Sequence, residues 1–312
     1  MKRILAIFLA LCAVSALAGC SGTAAVTTTG TTTTTTAETT TAEATTTEAT
    51  TAPAGEVAEK YYGALNYGGT DEAEITAFHL ALSRLAGNKD WPDGGAQEQW
   101  HARLFDDLNS ALLALSRGDI AQMELMAPVA NYVTAHNPAY AKLDLFSTGR
   151  SALAMAVLDS NPALLQALNV ALRSLANEGV LAKLEREYLA DPRSEPIPAD
   201  LPMIPGAETV RVLVTGDLPP FDYVTAGGLA AGYNVALLSA LSRKMNVNIQ
   251  LIYGNAGSRF IQLISGKADV VFWAKGVTFL EGGDFDFSAD LPQGVAITDI
   301  YTTQDNSSLV CP

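Results

Sequence analysis

The stretch 212-VLVTGDLPPFDY-223 reads as a buried strand that runs into a turn. Residues 210–215 are mostly apolar and β-branched, as in a strand covered on both faces. Gly216 and Asp217 follow as turn residues. Beyond the turn the pattern alternates. Residues 233–244 form a helix, 247–253 a strand and 258–264 a second helix. Residues 268–273 are a continuous apolar strand, and 295–300 a further one. Strands alternating with helices imply an α/β fold with a mainly parallel sheet and helices on both faces. In such sheets ligands sit outside the carboxyl ends of the strands. That places residues 216–223, 254–259 and 273–278 around one crevice.

Upstream lies a break. Residues 190–206 carry Pro192, Pro196, Pro198, Pro202 and Pro205, a density that stops helices and stiffens a connection. Before it the chain is helix-rich. Helices are expected at 75–85, at 108–116 with a stop at Gly118, and at 128–135. Residues 91–95 form a loop between the first two. Short strands are expected at 120–126, 143–146 and 152–158. The best-signed helix starts with Asn161 as cap and Pro162 in its first turn. Leu164, Leu165, Leu168, Leu172 and Leu175 give it one apolar face. Gly179 offers a left-handed stop, and Val180, Leu181, Leu184 and Tyr188 mark a second amphipathic helix.

These segments resemble a known family. The run 212–223 resembles the opening of the family 3 extracellular solute-binding proteins, the amino-acid-type periplasmic binding proteins of ABC transporters. The segments 228-GLAAGYN-234, 263-LISGKAD-269 and 285-FDFS-288 resemble, in order, the next segments of that family. The first half resembles the family's other end. The segment 112-LLALSRGDI-120 is similar to its second "aL.sG.iD" unit, and 164–188 to its final helices. The order is therefore reversed. Either one binding unit is permuted, or two partial units stand in tandem. The resemblance implies a two-lobed, type II periplasmic-binding-protein-like fold whose lobes close on a ligand.

The family usually holds an amino acid by an arginine for the carboxylate and an aspartate for the ammonium. Here the first segment reads 278-TFLEGG-283, without arginine. In the second, Ala121 and Met126 stand where acids are expected. Other groups are candidates in their place. Ser258 and Arg259 lie at a helix start, where free N–H groups favour an anion; a solvated surface arginine is the competing reading. Phe221, Tyr223 and Trp273 either line the crevice or pack in the core. Lys275 either faces the cleft or lies on the surface. Asp217 either binds ligand or caps its turn. Glu124 is the acid nearest the expected ammonium site.

The start of the chain has its own signature. Lys2 and Arg3 precede an apolar run at 4–14, followed by 17-LAGC-20. That order is a secretory leader, too short for a spanning helix. The last four residues resemble the bacterial lipobox, which implies cleavage before Cys20 and a lipid on its thiol. Cys12 leaves with the leader and Cys20 is lipidated, so of the cysteines only Cys311 remains, and neither a disulfide framework nor a cysteine metal site is expected. Residues 23–54 are mostly Thr, with Glu38, Glu43 and Glu48 spaced among them. Such a segment cannot offset its ordering entropy and reads as a solvated stalk. The expected divisions are a leader (1–19), a Thr-rich linker (20–55), a first lobe (56–190), a Pro-rich connector (191–206) and a second lobe (207–312).

The formal charge of −14 argues against nucleic acid or an anionic membrane surface as partner. His79, His101 and His136 are widely spaced, and no nucleophile elbow, phosphate loop or paired-cysteine motif appears. Asp284 and Asp286 read as a solvated turn rather than a metal site. No cofactor is expected. The expectation is a lipid-anchored solute-binding protein on the outer face of a cell membrane, capturing a small polar solute for an ABC permease. The alternatives are a binding module turned to sensing or surface interaction, and a dehydratase-like enzyme on the same scaffold, for which an acid–base pair would be needed.

Overall fold

A computed structural model of the chain describes residues 58–65, 98–144, 150–191, 198–280, 283–286, 291–305 and 308–312. The expected leader, lipid site and stalk, the helix at 75–85 and the loop at 91–95 lie outside these residues.

Two sheets organise the molecule. The first contains β1 (Ala58–Leu65), β2 (Glu98–Phe105), β3 (Gln122–Leu125), β4 (Ala141–Asp144) and β15 (Ser308–Cys311), in the order β2-β1-β3-β15-β4. Strand β1 runs parallel to β2 and β3, whereas β15 is antiparallel to β3 and β4. The second sheet contains β5 (Arg150–Leu158), β6 (Thr209–Val214), β10 (Asn248–Tyr253), β11 (Val270–Leu280) and β13 (Val295–Ile297), in the order β10-β6-β11-β5-β13. Here β6 is parallel to β10 and β11, and β5 is antiparallel to β11 and β13. Strands β12 (Gly283–Asp286) and β14 (Thr302–Asp305) pair beside β11 and β5.

The two orders have the same form. In each five-strand order the strand in second place, β1 or β6, runs parallel to both neighbours, and the strand in fourth place, β15 or β5, runs antiparallel to both of its own. That strand is supplied by the other half of the chain. After β4 the chain leaves the first sheet and enters the second as β5, and after β14 it returns as β15. The expected boundary at 191–206 therefore does not divide the sheets. Residues 150–188 belong with the second sheet, and 308–311 with the first. Pattern reading assigns segments to lobes by position along the chain, and strand exchange overrides position.

Helices follow from the apolar stripes. Helix α1 (Leu108–Arg117) is capped by Asp107, which accepts from the Ser110 N–H at 2.7 Å, and stops at Gly118 with φ 78°. Helix α2 (Ala127–His136) has Pro128 in its first turn. Helix α3 (Pro162–Asn177) is capped by Asn161, as the sequence implies, and buries Leu168, Ala171, Leu172 and Leu175. Helix α4 (Val180–Tyr188) starts after Gly179, and Lys244 bonds Glu178 at 2.6 Å to join the α3–α4 corner to α5 (Tyr233–Met245). Helix α6 (Arg259–Ile264) is a short turn of six residues.

The period-two rule explains why β5, β6 and β11 are apolar on both faces. On one face Leu153, Met155, Val212, Val214 and Val270 join the main core with Leu237 and Leu241 of α5. On the other, Ala156, Leu213 and Val271 pack with Phe260 and Leu263 of α6. The strand expected at 268–273 continues to Leu280, so 273–278 is strand and not a crevice loop. Asp284 and Asp286 lie in β12, not in a turn. Strands β1, β2, β14 and β15 were not expected. No helix among the described residues is long and apolar enough to cross a membrane.

Candidate functional site

The loop after β6 is built around one buried carboxylate. Asp222 Oδ1 accepts from the Thr215 N–H at 2.8 Å, the Thr215 hydroxyl at 2.7 Å and the Gly216 N–H at 3.0 Å. Its Oδ2 accepts from Asn234 Nδ2 at 2.7 Å. Asp222 is wholly buried, and these donors replace the water it loses. The network fastens the turn after β6 to the first turn of α5. The backbone repeats the link, with the Asn234 N–H donating to Phe221 O at 2.8 Å and the Tyr233 N–H to Pro220 O at 3.0 Å. Gly232, at φ 105°, lies so close under the Phe221 and Pro220 carbonyls that a Cβ would collide with them. The same stretch forms a small sheet of β7 (Asp217–Leu218), β8 (Asp222–Val224) and β9 (Ala230–Ala231).

This loop faces the first sheet's helices. Asp217 Oδ2 accepts from the Leu108 N–H, the first amide of α1, at 3.0 Å. Burial pushes the Asp217 carboxyl up, as do Asp107 and Asp222 nearby, against the lowering effect of Leu108 and Thr215. Beside it the Ala256 N–H, in the loop after β10, donates to Asp106 O at 3.0 Å. Tyr223 lies with its ring centroid 6.1 Å from that of Tyr132 on α2. Burial, with Tyr132 and Tyr188 close by, raises the Tyr223 hydroxyl to about 12. Tyr132 in turn stacks on His136 at 4.0 Å. Asp217, Tyr223 and the 254–258 loop thus form one seam with Asp106, Leu108 and Tyr132 of the other lobe.

Other expected site residues fall elsewhere. Phe221 is wholly buried and meets Tyr233 edge-on at 6.2 Å, so of its two readings the structure shows the packing one. Arg259 is 1% exposed, so it is not a solvated surface arginine. Its Nε donates to Ala256 O at 2.7 Å and its Nη1 to Phe272 O at 3.1 Å, which directs the guanidinium onto the backbone. Ser258 belongs to a turn with Asn255, whose Oδ1 accepts from its N–H at 2.9 Å. Its hydroxyl accepts from Gln262 Nε2 at 2.9 Å. The helix that starts here has six residues, and the arginine at its start bonds inward. Glu124 sits inside β3 opposite Ala64 and Leu309. Trp273 and Lys275 lie in β11, with side chains outside the described residues.

Sequence reasoning missed Asp222, Asn234, Tyr132 and the α1 amide. An acid and an amide twelve positions apart, across a turn and a short sheet, leave no periodic trace. Tyr301 was missed too. It is 2% exposed, stacks on Tyr233 at 6.2 Å and meets Phe272 edge-on at 5.5 Å. Burial pushes its hydroxyl well up, and Tyr233 and Asp222 add to the rise while Arg259 opposes it.

The segment from β6 onward is where the sequence is similar to known proteins. Residues 210–308 match the bacterial extracellular solute-binding proteins, family 3. The solute-binding match begins in mid-chain, at β6, and ends at the first residue of β15. It is a family of binding proteins. Solved structures similar to the chain include the binding protein AgaA from A. tumefaciens in complex with agropinic acid, at 12% identity and a TM-score of 0.34, covering 57% of this chain and 38% of that one. The alkanesulfonate-binding protein SsuA from Xanthomonas axonopodis pv. citri has 10% identity and a TM-score of 0.37, with coverage of 83% and 66%. A putative L-cystine ABC transporter from Listeria monocytogenes has 12% identity and a TM-score of 0.37, with coverage of 82% and 83%. The chain spans less than two thirds of the length of the first two. No curated protein matches the sequence. The described residues form an α/β arrangement of two larger sheets and one small one.

Proposed function

We propose that the chain is a lipid-anchored solute receptor that captures a small polar solute between its lobes and delivers it to an ABC permease. The carrying observation is the solute-binding match over 210–308, set in a body whose two sheets exchange strands. Among the described strands the chain passes between the two sheets twice, from β4 to β5 and from β14 to β15, an arrangement that suits hinged closure. Cys20 would carry the lipid and the Thr-rich linker the distance to the membrane. The body is one permuted binding unit rather than two partial units. Its support is that each sheet is completed by a strand from the other half, which a tandem of separate units would not require.

Asp217 and Tyr223 are the candidate ligand-facing residues, because both lie on the seam between lobes. A solute reaching the seam would meet Asp217, Tyr223 and Tyr132. That chemistry suits a polar solute with hydrogen-bond donors and a flat or apolar part. Trp273 and Lys275 remain candidates from sequence. A sensing role is the second reading, favoured by Arg259 and Phe221 being committed to the interior.

Thermal-shift screening of the full chain against a panel of amino acids, sulfonates, sugars and opines tests the first reading. A bound solute at a hundredfold excess over its Kd should add about 2.7 kcal/mol of stability. A panel without any stabilising member removes the transport reading. Fatty-acid labelling in cells should mark the wild type and not Cys20→Ala.

A further inference from the structure

The seam holds a bond between the two halves of the fold. Asp217 belongs to the lobe of the second sheet, yet its carboxylate receives the first amide of α1 in the opposite lobe at 3.0 Å. That amide is one of the donors a helix start leaves open. Asp107 already caps the same helix through Ser110, at 2.7 Å to both its N–H and its hydroxyl. The helix therefore has its own cap, and Asp217 is a second carboxylate brought from across the seam. It comes there from a half-buried position, with Asp107 and Asp222 among its charged neighbours. One loop away, Ala256 and Asp106 form a separate bond across the same seam.

We propose that Asp217 is an internal latch, holding the two lobes together without a solute and releasing them when its bond to the Leu108 amide breaks. The latch rests on the hinged-lobe reading of the function, and it adds a step to it: opening costs the hydrogen bond between Asp217 and the Leu108 amide. Entry of a solute then requires prior release of Asp217, so the resting state is closed.

Amide exchange in the full chain, with no solute present, tests the latch. Asp217→Ala should speed exchange on the order of tenfold at Leu108 and also at Ala256, whose own bond the substitution does not touch, while Val212 and Val271 in the second sheet stay protected. Asp217→Asn keeps an acceptor and should leave Ala256 near the wild-type rate. A second route removes the donor. Leu108 is the first helical residue, where proline is tolerated, and Asp107 before it is already extended at φ −147° and ψ 153°. Leu108→Pro should therefore speed Ala256, whereas Leu108→Ala, which loses the side chain but keeps the N–H, should not. Unchanged Ala256 exchange in both Asp217→Ala and Leu108→Pro overturns the latch. Loss of protection at Val212 and Val271 together with Ala256 also overturns it, since the bond would then be merely structural. Because no solute is used, either failure leaves the solute-binding reading standing.

Discussion

Asp222 shows how one residue can shape a loop and leave no mark in a sequence. Its four donors come from Thr215, Gly216 and Asn234, and all are tied to keeping the turn after β6 against α5. Asp222→Ala strips four donor groups of their acceptor and should cost about 2–4 kcal/mol in urea unfolding. Asp222→Asn should also destabilise, because its amide would set a donor against donors. A different carboxylate governs the acid limb. Burial alone would raise Asp269, but the Arg211 side chain and N–H hold it below the usual range, at 2.6 and 2.8 Å. A lowered folded value means the contribution is present above the ordinary aspartate range and lost as pH falls through the folded one. Asp269→Asn should therefore flatten the fall in stability below about pH 4. Asp217 has the opposite sign. Burial raises it, so its contribution is largest when protonated and is lost as pH rises through the raised value. Denaturation of Asp217→Asn across the same range should show higher stability than the wild type near neutrality, converging with it in acid.

At the scale of elements, most boundaries follow from local chemistry. The α3 start needs Asn161, whose side chain accepts from the Leu164 N–H at 3.2 Å. Asn161→Ala should lower stability by about 1 kcal/mol, read from the shift in urea midpoint. Gly232 is different, because its φ of 105° and the carbonyls above it exclude any side chain. Gly232→Ala should cost about 3 kcal/mol and shift the resonances of α5 and β8 together. The legible elements were those with a period, a cap or a short apolar run: all six described helices, and β3, β4, β5, β6, β10, β11 and β13. Strands β1 and β2 were illegible for a physical reason. Tyr61, His101 and Arg103 lie together on one face, with the rings of Tyr61 and His101 5.6 Å apart and Arg103 4.4 Å over Tyr61. Polar and aromatic side chains that pack on each other across strands erase the alternation that marks a strand.

For the whole molecule, strand exchange couples the lobes. Strand β5 is wholly buried along residues 152–157 in the second sheet, although the chain reaches it from the first. Strand β15 makes the return passage. Neither sheet is complete without the other half, so the lobes should unfold together. Urea unfolding followed by tryptophan fluorescence and by circular dichroism should give coincident single transitions. Two separated transitions would mean that each lobe stands alone. The candidate site was legible only in part. Asp217 and Tyr223 stand out in the stretch after the first strand of the second half, and they do lie on the seam. Phe221 stands out in the same stretch and lies in the core. Their separation depends on which way each side chain leaves a turn, and no local pattern records that.

The sequence 212-VLVTGDLPPFDY-223 was enough to determine a covered strand, its turn and, by resemblance, the solute-binding segment around it. Hydrophobic period and capping are local, so they survive in the order of residues. What the tertiary structure alone decided is which half completes which sheet, and what Asp217 touches. Both depend on contacts between residues about a hundred or more positions apart, such as Asp217 with Leu108, where loop closure and packing choose the partner and sequence spacing carries no trace of the choice.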